Sequence, residues 1–294
     1  MNQDEIKKLK KAGEIAKSAV EYARSLIKPG MKFFEIAEKI DEKIKSFGGS
    51  QAFPVNLSIN EIAAHSTPVF NDEEVAKGLL KVDIGVSVDG YIADTAFSLD
   101  LENSEENKLL IKASEEALKN ALKIVKKDIE LCEIGKVIQK TISSYGFSPI
   151  INLSGHELKR YDLHAGVNIP NHDNSNRNKL KEGVYAIEPF TTTGTGNVYE
   201  GKPSGIYILQ GSRIVRDSFA RKVLKFIEEE YKTLPFCSRY LVKEFGSRAL
   251  FALNLLEKSK AVRQFPQLVE KSRGKVSQAE NSIIVSDDRV EVLV

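Results

Sequence analysis

A stretch of this chain occurs twice, and that repeat restricts the possible folds more than any other feature. Shifted by 98 residues, FEIAEKIDEKIKSFGGS (34–50) lies over CEIGKVIQKTISSYGFS (132–148), matching a Glu, three Ile, a Ser, an aromatic, a Gly and a Ser. The segments before them overlay too, Ala19 on Ala117 and Ala23 on Ala121. In the first copy, Lys7 to Ile27 carries apolar residues at helical spacing up to Pro29-Gly30. About Phe34 to Phe47 then sets Ile36, Ile40 and Ile44 on one stripe before Gly48-Gly49. Helix, helix, then strands, made twice, predicts two similar halves packed against each other. Strands from both halves would bring side chains together near a pseudo-two-fold axis. Chance similarity between amphipathic helices is the competing explanation.

Between the copies, Lys81 to Leu99 (KVDIGVSVDGYIADTAFSL) reads as a β-hairpin. Asp89-Gly90 suits a two-residue type I′ turn, so Val88 should oppose Tyr91 and Gly85 should oppose Asp94. Side chains alternate along a strand. Val82, Ile84, Val86, Val88, Tyr91, Ala93, Thr95 and Phe97 therefore share a core face, and Asp83, Gly85, Ser87, Ile92, Asp94, Ala96 and Ser98 share the other. Asp83 and Asp94 become diagonal neighbours among small residues, roughly 7–8 Å apart at Cα, a spacing from which two carboxylates can grip shared cations. Solvated edge carboxylates remain the alternative on the hairpin alone.

At 294 residues and 41% hydrophobic content, the chain can bury a sizeable core as one large domain or two small ones. Its 43 basic and 41 acidic residues leave a net charge of +2, which gives no global electrostatic footprint for nucleic acid or an anionic membrane. The start, MNQDEIKKLKK, is charged where a secretory signal needs an apolar stretch, and no run approaches the ~18 apolar residues of a membrane span. A soluble, cytoplasmic protein is expected. Cys132 and Cys237 are too few and too distant for a disulfide framework or a thiolate zinc site. Asp217 to Lys271 differs in texture, with charged helical stretches KVLKFIEEEYKTL and SRYLVKEFGSRALFALNLLEK, after which NSIIVSD and RVEVLV resume as strands. Residues 217–271 are expected to form a helical insertion within one domain spanning 1–294.

His65 sits in AAHSTP, His156 follows Ser154-Gly155 in LSGHELKRYDLH, and His164 ends that segment. Glu188 ends the apolar run VYAIEP, and Glu280 precedes the strand Asn281 to Val285. Singly, each fits a hydrogen-bonded histidine or a solvated glutamate. Together, Asp83, Asp94, His156, Glu188 and Glu280 resemble the five-ligand dinuclear site of the methionine aminopeptidase and prolidase superfamily, whose fold is the pita bread. FPVNLSINEIAAHSTP (53–68), DIGVSVDGYIADTAFS (83–98), LSGHELKRYDLHAGVNIPN (153–171) and AIEPF (186–190) look like type II methionine aminopeptidases. The insertion is the feature that separates type II from type I, and the lack of a long basic N-terminal extension resembles the archaeal form.

The resemblance implies an α+β pita-bread fold: two pseudo-symmetric α/β halves around an antiparallel sheet, with a helical insertion, in a single catalytic domain. It implies two divalent metal ions, drawn from Co, Mn, Fe or Zn, with Asp83 on one, His156 and Glu188 on the other, and Asp94 and Glu280 bridging. A bridging hydroxide would attack the first peptide carbonyl, with Glu188 taking the proton. His164 would stabilise the oxygen of the tetrahedral intermediate, His65 would hydrogen-bond the scissile amide, and Phe53 would contact the methionine side chain. The implied substrates are N-terminal peptides and nascent chains with a small second residue; the ribosome is a further candidate partner, and a monomer is expected. One departure stands out: Ala279 and Asn281 flank Glu280 where the family has an aromatic and a histidine. Two other readings fit the same ligands. An X-Pro aminopeptidase or prolidase usually carries a further N-terminal domain, and a non-catalytic relative that binds ribosomes or RNA typically loses ligands.

Overall fold

Helix α1 (Gln3–Leu26) begins with a capping box, in which Asn2 accepts from the Glu5 amide and the Glu5 carboxylate accepts from the Asn2 amide. The computed structural model describes every residue except Ser212, Ile214 and Asp288. After α1 come α2 (Phe33–Ser46), β1 (Ser50–Gln51), β2 (Asn56–Ile59), β3 (Ile62–Ala64) and the hairpin β4 (Leu79–Val88) and β5 (Tyr91–Asp100). The second half repeats the plan with α3 (Glu105–Ile124), α4 (Leu131–Ser144), β6 (Ser148–Pro149), β7 (Ser154–Leu158), β8 (Asn168–Pro170), β9 (Gly183–Ile187) and β10 (Phe190–Thr192). Helix α4 and strand β6 start and stop 98 residues after α2 and β1, so the sequence repeat is also a structural one.

The remainder comprises β11 (Val198–Leu209), α5 (Ser218–Glu230), β12 (Phe236–Cys237), α6 (Ser238–Phe245), α7 (Arg248–Lys258), β13 (Val262–Glu270), β14 (Val276–Gln278), β15 (Glu280–Val285) and β16 (Val290–Val292). The helical texture expected over 217–271 therefore ends at Lys258. Residues 262–270 are a strand held between β11 and β3. Pro266 accounts for the difference: it cannot donate within a helix, and here it faces Pro203 at an irregular point of the ladder.

A nine-stranded antiparallel sheet runs β1-β4-β5-β15-β9-β7-β8, with β2 also on β4 and β16 on β15. The alternation expected of the hairpin is present. Val82, Ile84, Val86, Ala93 and Phe97 pack with the alanine- and isoleucine-rich faces of α1 and α2. Helices α3 and α4 cover Tyr185, Ile187, Ile283 and Val285 in the same way. Both helix pairs thus leave the opposite face of the sheet for the clustered acids and His156, beside a smaller apolar cluster that includes Phe53, Ile92, Leu158, Val184 and Ile284. The inserted helices have their own core, around Val223, Ile227, Phe236, Leu241, Leu253 and Leu256. They are tied to α2 by Arg239, whose guanidinium bonds Asp41 at 2.7 Å and Glu38 at 2.9 Å. Among the described residues no helix is long and apolar enough to cross a membrane.

Candidate metal centre

The ladder of the large sheet aligns the expected donors in two rows. Both Asp89 and Gly90 have positive φ, as a type I′ turn demands, and the register they set puts Gly85 opposite Asp94 and Asp83 opposite Ala96. Ala96 in turn faces Glu280 across β15, and the next step of the β15–β9 ladder brings Glu188 alongside. That is the first row. Two residues along the strands, on the same face, the second row holds Gly85, Asp94, Ser282, Ala186 and His156. Ser282 joins β5 to β15 there: its hydroxyl accepts from the Asp94 amide at 2.7 Å and donates to the Asp94 carbonyl at 2.8 Å. Glycine, alanine and serine fill the positions between donors, which leaves room for the carboxylates to converge.

Asp83, Asp94, His156, Glu188 and Glu280 all line one cavity of about 240 Å³, together with Phe53, His65 and His164. Donor atoms of Asp94, His156 and Glu280 lie within 4.8 Å of one another. His156 Nε2 is 3.7 Å from Asp94 and 3.5 Å from Glu188. Among the described residues no Lys or Arg forms an ion pair with any of the four carboxylates. Burial pushes Asp83 up to about 7. Burial, then Asp83's charge, raises Asp94 well above the carboxylate range. Glu188 and Glu280 are raised in the same manner, by burial first and then by Asp94 and the other acids. Four clustered acids without a counter-charge are costly in a folded protein unless protons or cations compensate them.

The donor set fits divalent cations. Asp83 Oδ1, Asp94 Oδ1, Glu280 Oε1 and His156 Nδ1 are buried and lack a hydrogen-bond partner, which a native fold seldom tolerates without a further ligand. Carboxylates and an imidazole, with no thiolate, suit Mn, Fe, Co or Zn. The other two histidines stand beside this cluster. His65 has φ +57, a left-handed conformation, and its ring lies 5.4 Å from Phe265. Its neighbour Ser66 is pinned from two sides, the amide to Asn56 Oδ1 at 3.1 Å and the hydroxyl to Gln267 at 3.0 Å. His164 reaches solvent through the cavity, and its ring meets His156 edge-on at 4.5 Å. Burial lowers all three imidazoles, His65 to about 4 and His156 to about 3, so they are neutral at pH 7.

Two contributors were not singled out from sequence. Gln278 donates to Glu280 Oε2 at 3.2 Å, and Ser282 fixes Asp94. The alternation that exposes Glu280 also aims Ser282 at the same face, and that period was the available signal.

The sequence profile of Metallopeptidase family M24 matches residues 7–223. The methionine aminopeptidase of Thermococcus onnurineus is 48% identical over 290 residues, 97% of this chain and 98% of its own. A solved structure of a thermophilic Arx1 aligns with a TM-score of 0.86 at 16% identity, covering 100% of this chain and 91% of that one. The methionine aminopeptidase of Thermotoga maritima aligns at 0.73 and 23% identity, covering 100% and 97%. At such identities the two structures speak for the fold alone. Profile and full-length sequence identity together show that this chain belongs to metallopeptidase family M24, among its methionine aminopeptidases.

Proposed function

We propose that this aminopeptidase removes N-terminal methionine with two divalent cations held by Asp83, Asp94, His156, Glu188 and Glu280. Co, Mn, Fe and Zn all suit those donors. Cations bound there would supply a water acidified from a pKa of about 15.7 toward 7, and a charge to polarise the scissile carbonyl. The protein's own groups do the rest. Glu188, at the end of β9 and 3.5 Å from His156, is placed to take a proton and pass it to the departing amine. His164, neutral and open to the cavity, donates to the substrate oxygen that gains charge as the carbonyl becomes tetrahedral, a contribution of about 10²–10³ in rate. His65, also neutral, hydrogen-bonds the scissile amide. Phe53, 6% exposed, offers an apolar wall to the methionine side chain.

We take residues 1–294 as one catalytic domain with the helical insertion inside it. The substrates are peptides and nascent chains with a small second residue, met in the cytoplasm by a monomer, with the ribosome as a candidate partner. The observation that carries the reading is the convergence of four carboxylates and an imidazole, buried or half-buried and unpaired with any Lys or Arg among the described residues, on one face of five adjacent strands. Asp94→Asn tests it: bound metal, measured by plasma emission, and release of methionine from Met-Ala-Ser should fall together. Full activity in a metal-depleted Asp94→Asn protein would end the reading.

A further inference from the structure

The loop that carries His164 is held by two distant parts of the molecule, which meet at Tyr161. Residues 159–162 form a tight turn in which the Lys159 and Asp162 amides each donate to the other's carbonyl at 2.9 Å. Tyr161 lies in it at φ +58, a left-handed conformation that a bulky side chain adopts only when its surroundings impose it. One constraint is the hairpin turn between the strands of Asp83 and Asp94. The Tyr161 amide donates to the Gly90 carbonyl at 2.8 Å, and the phenol ring rests on Gly90 so closely that a Cβ there would lie 2.4 Å from it. Arg160 reinforces this contact, donating to the Asp89 carbonyl at 2.9 Å and to its carboxylate at 2.8 Å.

The other constraint comes from the insertion, in the segment between α5 and β12. Lys232 donates to the Tyr161 hydroxyl at 2.7 Å with its ammonium 4.0 Å above the ring centre, and the Thr233 hydroxyl donates to the Tyr161 carbonyl. Two residues on, Leu163 packs with Phe53 and Leu234, and His164 follows. We infer that Tyr161 is a positioning residue that fixes His164 over the metal centre, and that the insertion acts on the reaction through Thr233 and Tyr161. The inference rests on the reading of His164 given above. It gives the insertion a role within the enzyme itself, as a brace for a catalytic imidazole.

The test compares Tyr161→Ala, Tyr161→Phe and Thr233→Val, each with His164 intact and in a His164→Ala background, by kcat, KM and bound metal on Met-Ala-Ser. Tyr161→Ala should lower kcat by about 10- to 100-fold, the order of loss that a 1 Å misplacement brings, with KM and metal content near normal. Thr233→Val, at an exposed site that does not threaten folding, should lower kcat several-fold. Tyr161→Phe keeps the ring on Gly90 and should retain most of the rate. In the His164→Ala background the same changes should cost little more, because groups acting through one another are not additive. The histidine Cε1–H resonance of His164 should shift in Thr233→Val while that of His65 stays in place. Equal losses in both backgrounds, loss of metal in Tyr161→Ala, or an unchanged kcat in Thr233→Val would each overturn the inference. Should His164→Ala itself leave kcat unaltered, the reading of His164 and this inference would fall together, an outcome distinct from the other three.

Discussion

Gly85 shows how much a single missing methyl can decide. It faces Asp94 across the hairpin, and a Cβ built on it would lie 2.2 Å from the Phe53 ring, which therefore rests directly on the strand. Gly85→Ala should drive that ring into the cavity. Methionine substrates should lose about 10- to 200-fold in kcat/KM, the span that a methylene-sized change in an apolar pocket produces, while shorter side chains lose less and metal content is kept. A uniform loss across side chains would place the effect on Asp94 instead. Asp83 carries a second prediction. Its carboxyl is held at about 7 against an ordinary 3.8, so in the metal-free fold its contribution to stability is full below pH 3.8 and is lost as pH rises through 7. Thermal melts of EDTA-treated protein should therefore show a melting temperature that falls toward neutral pH, and the Asp83→Asn variant should flatten that fall. A wild-type profile no steeper than that of the variant would refute it.

At the scale of elements, the clearest signals in the sequence were those with a short physical cause. Asp89-Gly90 dictates turn type, turn type dictates register, and register places Gly85 opposite Asp94. The 98-residue repeat translates into helices and short strands with the same offset. Strand β13 was not legible. VRQFPQLVE has no clear alternation, and only pairing with β11 and β3 on its two sides makes it a strand. Likewise, the residues that line one cavity could be ordered along the chain, but the adjacency of β15 to both β5 and β9 is a matter of topology that no local pattern specifies. The docking of the insertion was hidden for the same reason. Arg239 lies about two hundred positions from Asp41 and Glu38, yet Arg239 and Asp41 have side chains only 2% and 7% exposed. Arg239→Met strands a buried carboxylate and should cost about 3–5 kcal/mol in urea denaturation. Removing the exposed Lys32–Glu73 pair should cost about 0–1 kcal/mol. Equal costs for the two changes would show that the Arg239 network does not hold the insertion in place.

For the molecule as a whole, the two halves supply candidate donors equally, Asp83 and Asp94 from the first and His156 and Glu188 from the second, and Glu280 comes from the strand that joins them. No half alone assembles the cluster, and the sheet is continuous only because β15 closes it. Anomalous scattering at the Mn, Fe, Co and Zn edges, on crystals of protein purified without added metal, measures this most directly. Two peaks of divalent metal are expected in the 240 Å³ cavity, contacted by Asp83, Asp94, His156, Glu188 and Glu280. Peaks elsewhere, or none in crystals of fully active enzyme, would contradict it.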